Sequence, residues 1–143
     1  MVIGHWSLGG FNVKGKSFEG LRVYQLSEQL ADLVWSIVRK WDNTARDTVG
    51  KQLVRSADSI GANISEGYGR GSFQDNRLFV RIARGSLYET RHWLRRAFQR
   101  KLLTNEETNS LTPIIHSLGP QLNAYLKSIG HTRPPNPPMT IDE

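Results

Sequence analysis

The 143 residues include no cysteine. That excludes a disulfide framework and any thiolate metal site, and it points to a reducing cytosol. The four histidines, His5, His92, His116 and His131, share no ligand spacing, so neither a metal nor another cofactor is expected. No stretch reaches the roughly 18 apolar residues of a membrane span, and no basic start followed by an apolar run opens the chain. A soluble, unexported, cytoplasmic protein with no membrane partner is expected. The sequon Asn63-Ile64-Ser65 falls inside a predicted helix and is read as accidental. Strand alternation and repeats of solenoid period are also missing. No serine, histidine and carboxylate set stands in a recognisable nucleophile context, so catalysis is not expected.

Acidic residues are scarce in one segment above all. From Arg70 to Lys101 there are nine basic residues and two acidic ones, Asp75 and Glu89, while the rest of the chain carries ten basic and eleven acidic. The whole net charge of +6 therefore resides there, an electrostatic footprint for phosphate rather than general solubility charge. Within it Arg77, Arg81, Arg84, Tyr88, Arg91 and Arg95 advance by 4, 3, 4, 3 and 4. On a helix they fall within an arc of roughly 80° and run along ~27 Å of axis. Arginine presents a planar fork that clamps phosphate and stacks on exposed bases, and Tyr88 adds a ring suited to single-stranded RNA. The plain alternatives are a solvated helix face and a Tyr88 that rests on its arginine neighbours.

A hydrophobic content of 38% in 143 residues fits one domain with a real core. Residues 1–17 read as a flexible, glycine-containing N-terminal arm. Residues 18–129 read as four amphipathic helices, an all-α, up-down-up-down antiparallel four-helix bundle. The first runs from about Phe18 to Trp41, with Val23, Leu30, Val34, Ile37 and Trp41 inward and Trp35 widening the face. The second spans about Arg46 to Glu66, its stripe Val49, Leu53, Ala57, Ile60 and Ile64 flanked by small residues that admit a close neighbour. Gly67 is expected to end it in the left-handed region. The third, capped by Ser72, extends to about Arg100 with a core band of Phe79, Ile82, Ala83, Ser86, Thr90, Trp93 and Ala97. A second band, Val80, Leu87, Leu94 and Phe98, exceeds what one bundle needs and is a candidate oligomer interface. Gly85 inside that helix costs about 1 kcal/mol, so a close neighbour is expected over it. Thr104 and Glu107 form a capping box for the fourth helix, in which Pro113 and Pro120 predict kinks or breaks. Residues 130–143 form a Pro-rich tail, expected to be disordered or extended.

Four strings resemble a known family: Phe18-Glu19-Gly20-Leu21-Arg22-Val23-Tyr24-Gln25, Gln52 through Arg55, Asn63-Ile64-Ser65-Glu66-Gly67-Tyr68-Gly69-Arg70-Gly71-Ser72, and Ile82-Ala83-Arg84-Gly85-Ser86-Leu87-Tyr88-Glu89. They are similar to the bacterial four-helix-bundle proteins whose founders are encoded within ribosomal RNA intervening sequences. The third string is the most specific. The resemblance implies a compact protomer in a homopentameric ring. A related branch, the accessory variability determinant of diversity-generating retroelements, implies a basic barrel that binds a reverse transcriptase and its template RNA. Two departures stand out: Val54-Arg55 leaves one basic residue where the family often has two, and the prolines of the fourth helix are atypical.

Glu66, Gly67, Gly69, Arg70, Gly71 and Ser72 make a glycine loop that opens a helix with free N–H groups, tempting as a phosphate cradle. It lacks a preceding strand and the P-loop lysine, so a structural turn is the plainer reading, with Glu66 paired to an arginine such as Arg70. Two functional classes follow. One is a nucleic-acid-binding accessory protein, RNA favoured, alongside a reverse transcriptase. The other is a non-enzymatic homo-oligomeric scaffold whose arginines meet an acidic protein partner.

Overall fold

The computed structural model describes residues 7–8, 11–12 and 17–131. Its body is all-α, with four long helices: α1 (Arg22–Val38), α2 (Lys51–Tyr68), α3 (Phe73–Gln99) and α4 (Asn105–Ser128). A 3-10 turn at Phe18–Gly20 leads into α1. Before α2, a helical turn at Asn43–Ala45 and a π-helical stretch at Arg46–Gly50 lengthen the same rod. Asp42 caps this rod by accepting the Ala45 N–H at 3.0 Å. The glycine at position 50 lets the rod pass the end of α1, for a Cβ there would lie 2.7 Å from Val38 Cγ1.

Each helix packs on two others, α1 on α2 and α4, and α3 on α2 and α4, which closes a four-helix ring in cross-section. Contacts between opposite helix ends show the antiparallel sense. Lys40 beyond α1 pairs with Glu107 in the first turn of α4 at 3.2 Å, and Arg77 at the start of α3 donates to the Ile129 carbonyl beyond α4 at 2.9 Å. The interior is built from the inward residues of all four rods, among them Leu30, Leu53, Ile60, Ile64, Val80, Leu118 and Leu122, all fully buried. Small residues bring α2 and α3 together. The Ser59 and Ser86 hydroxyls meet at 2.9 Å, and the Thr90 hydroxyl lies 3.0 Å from that of Ser56, so these four hydroxyls find partners across the seam, while Asn76 Oδ1 is buried without one.

Several expectations are corrected. The buried stripe of α3 is Val80, Ala83, Leu87, Thr90, Leu94 and Ala97, a single 3/4 alternation that takes members from both bands read in the sequence. Val80, Leu87 and Leu94 are therefore in the protomer core and not at a subunit interface; of that band only Phe98 is exposed. The physical reason is that α3 is flanked by both α2 and α4 and must bury a wide face. Ile82, placed in the core band, is 43% exposed, and Trp35 of α1 is exposed as well. Gly67 is buried within α2 and does not carry a left-handed φ; the helix runs on to Tyr68, and Gly71 is the loop glycine at φ 86°. Nothing lies within 4 Å of a Cβ built on Gly85, so no helix of the same protomer crosses there.

Helix α4 runs unbroken through Pro113 and Pro120. Both prolines are exposed, as are Asn109 and His116, whose carbonyls lose their partners. Water can satisfy those groups, so the missing hydrogen bonds do not break the rod. Thr104 and Glu107 form the full capping box, with 3.0 Å and 2.9 Å bonds. Part of the N-terminal arm pairs in a two-residue antiparallel ladder, Ser7–Leu8 with Phe11–Asn12, which the absence of strand alternation did not anticipate. The remaining expectations for the arm and for the Pro-rich tail fall on residues outside those described.

Candidate nucleic-acid interface

The basic stripe follows the core stripe of α3 one residue later. Arg81, Arg84, Tyr88, Arg91 and Arg95 each succeed a buried residue, namely Val80, Ala83, Leu87, Thr90 and Leu94. A one-residue step is about 100° on the wheel. The stripe thus lies beside the core, on the α4 side: Arg84 Nη1 donates to Asn123 Oδ1 of α4 at 3.1 Å, and Arg91 and Arg95 line a hollow shared with α4. Phe98 succeeds Ala97 in the same way and is 55% exposed, so it ends the stripe.

Arg77 has a different engagement. Its guanidinium is half-buried and bonds the Ile129 carbonyl, where the negative end of the α4 dipole favours a cation. The Arg91 guanidinium lies 5.2 Å from the Tyr88 ring centroid, while Tyr88 remains 60% exposed. None of Arg81, Arg84, Arg91 and Arg95 has an ion-pair partner among the described residues; the pairs present there are Lys40 with Glu107, Arg46 with Asp47, and Arg70 with Glu66 and Asp75. From Thr108 to Ser128 α4 carries no acidic residue and adds His116 and Lys127. The α3–α4 seam is a surface of one sign that retains its full attraction for anions.

The glycine loop is arranged differently. Arg70 lies 3.6 Å from Glu66 and 3.9 Å from Asp75 and stands over the Phe79 ring at 5.1 Å. Ser72 caps α3 through the Asp75 N–H at 3.0 Å. Gly67 lets α2 cross α3, since a Cβ there would lie 2.7 Å from Asn76 Oδ1 and 2.9 Å from Phe79 Cβ. Gly69 follows as the C-cap of α2. With its cation neutralised twice by carboxylates, the loop offers little to an incoming phosphate. Among the described residues no cluster of metal-ligating side chains occurs, and no helix is long and apolar enough to cross a membrane.

The sequence reading did not find an acidic cluster in the α1–α2 seam, across the bundle from the basic stripe. Glu28, Asp32 and Asp58 are exposed there; farther along the same seam Arg39, Arg46, Lys51 and Arg55 line a hollow. Burial first, and then the Asp32 charge, raises the Asp58 carboxyl above its usual range. Glu28 is raised mainly by burial, and the Tyr24 hydroxyl is pushed up to about 12 by burial and then by the Glu28 charge. Tyr24, Glu28 and Asp32 follow one another by single turns of α1, but only the packing of α1 on α2 brings Asp58 to them.

Fold and face together define the class: an all-α four-helix bundle with a basic α3–α4 seam. The chain belongs to the family of 23S rRNA-intervening sequence proteins, whose model matches residues 19–124. It is similar to a crystal structure of a protein with unknown function from the S23 ribosomal protein family of Bacteroides thetaiotaomicron. The two are 26% identical with a TM-score of 0.68, and the match covers 74% of this chain and 96% of that one. No curated protein matches in sequence.

Proposed function

We propose that this protein is a non-enzymatic RNA-binding accessory protein that acts as a homo-oligomeric ring, with five protomers the expected number. The observation that carries the RNA reading is the α3–α4 seam, where Arg81, Arg84, Arg91 and Arg95 stand without acidic partners among the described residues. The family description, which refers to an rRNA intervening sequence, accords with it. Leu78 and Ile82, 50% and 43% exposed, beside the open Gly85, replace the buried band as the surface that supports assembly. No feature of the described residues singles out a reverse transcriptase as the partner.

The test is the salt dependence of binding to single-stranded RNA. With Arg77 held by Ile129, four arginines remain, and log affinity against log salt should have a slope near −2.8. Replacing Arg81 and Arg91 by Gln should flatten it by about 1.4. An unchanged slope in a folded, assembled variant refutes the assignment.

The cluster of Glu28, Asp32 and Asp58 favours one other reading, the scaffold in which these arginines meet carboxylates of a protein. Under it the chain retains no RNA at any salt concentration, and Asp32→Lys weakens assembly.

A further inference from the structure

At the end of the basic stripe, α3 and α4 leave a hollow of about 270 Å³. Its walls are apolar, formed by Leu94, Leu103, Leu111 and Ile115, and its edge carries Arg91, Arg95 and His116. The exposed Phe98 ring also lines it, together with Thr108 and Thr112. No acidic residue borders it. The two threonine hydroxyls donate to the Thr104 and Thr108 carbonyls, so toward a ligand their oxygens are acceptors. The volume is below that of ordinary drug-sized sites, enough for one flat ring system and too small for a long acyl chain. Apolar walls with an aromatic lip want a π-face; cations spaced along the rim want phosphate. A nucleotide within a chain supplies both, with acceptor-seeking exocyclic amines besides.

We infer that this hollow receives one unstacked base of a single-stranded RNA whose neighbouring phosphates lie on Arg91 and Arg95. The inference rests on the proposed RNA reading and adds to it. The arginines alone are indifferent to strandedness, whereas a pocket that must be entered by a splayed base selects single strands over duplex. Phe98 then serves RNA in place of the subunit contact expected from its sequence pattern, and it does so because it occupies the next position of the arginine stripe.

The experiment compares a fluorescent 12-nucleotide oligoadenylate with an abasic ribose-phosphate strand of the same length, binding the full chain in fluorescence anisotropy across a salt series. The adenylate should bind about 5- to 150-fold tighter with the same salt slope, the gain that base–aromatic stacking confers. Phe98→Ala should reduce adenylate binding to the abasic level and leave abasic binding unchanged. Thr112→Phe, an exposed change that fills the hollow, should do the same without altering helical content. Equal binding of the two strands by the wild-type chain overturns the base pocket and leaves the stripe intact. Failure of both strands to bind overturns the RNA reading itself. If Phe98→Ala dissociates the oligomer in light scattering, the hollow is a subunit contact and the inference is wrong.

Discussion

One chemical change, glycine to alanine, should have opposite effects at two helical positions. At Gly85 the backbone is helical, the surface is open and nothing lies within 4 Å of the new methyl. Alanine there removes the helix-propensity penalty of glycine and should stabilise the fold by about 1 kcal/mol. At Gly67 the same propensity gain is available, but the methyl would sit 2.9 Å from Phe79 Cβ and 2.7 Å from Asn76 Oδ1. Phe79 Cβ is fixed to the α3 backbone, so the α2–α3 crossing must open. Overpacking of this kind costs about 1–3 kcal/mol, which exceeds the gain and leaves a net loss of about 1 kcal/mol. For a body of this size each kilocalorie moves the melting temperature by about 4 °C. Far-UV thermal melts at one protomer concentration should thus show Gly85→Ala about 4 °C above wild type and Gly67→Ala about 4 °C below it. A stabilised Gly67→Ala refutes the close approach of the helices. A destabilised Gly85→Ala instead shows that the subunit seated on the Leu78–Ile82 face approaches Gly85 too closely for a methyl.

Leu87 is buried in the protomer core at 3% exposure, so Leu87→Ala should cost about 2–5 kcal/mol in urea unfolding; a loss of assembly at unchanged unfolding free energy would restore it to an interface. Thr104→Ala removes one half of the α4 capping box and should cost about 1 kcal/mol in the same assay. The raised Asp58 carboxyl binds its proton more tightly folded than unfolded, so ionisation disfavours the fold and its contribution improves as pH falls through the folded value. Asp58→Asn should therefore be more stable than wild type at pH 7, with the gap closing toward pH 4; a gap that widens on acidification refutes the assignment. Glu107 runs the other way. Burial raises it, but the Thr104 N–H and Lys40 outweigh that and hold it below its usual range. The stability it confers is present above the unfolded value and lost as pH falls through the folded one, and Glu107→Gln should flatten that acid loss.

Much of this protein follows from its sequence alone, because helix caps, periodicity and charge are local properties. Asp42, Ser72 and Thr104 mark helix starts by the hydrogen bonds their own side chains make to nearby N–H groups. The 4-3-4-3-4 spacing of Arg77 to Arg95 puts six side chains on one face by helix geometry alone. Burial is a different matter, since it depends on which neighbours a face meets. Val80, Leu87 and Leu94 looked surplus while α3 was imagined with one buried face; flanked by α2 and α4, it buries them and exposes Ile82. Gly67 and Gly85 are indistinguishable as letters, yet one lies under α3 and the other under nothing. Helix continuity through Pro113 and Pro120 required both freed carbonyls to face water. Arg77 separated from its stripe because the end of α4 arrives beside it. Local chemistry fixed the helices and their charged face, while the side-by-side placement of distant segments decided what is core, what is open, and where a hollow forms beside the arginines.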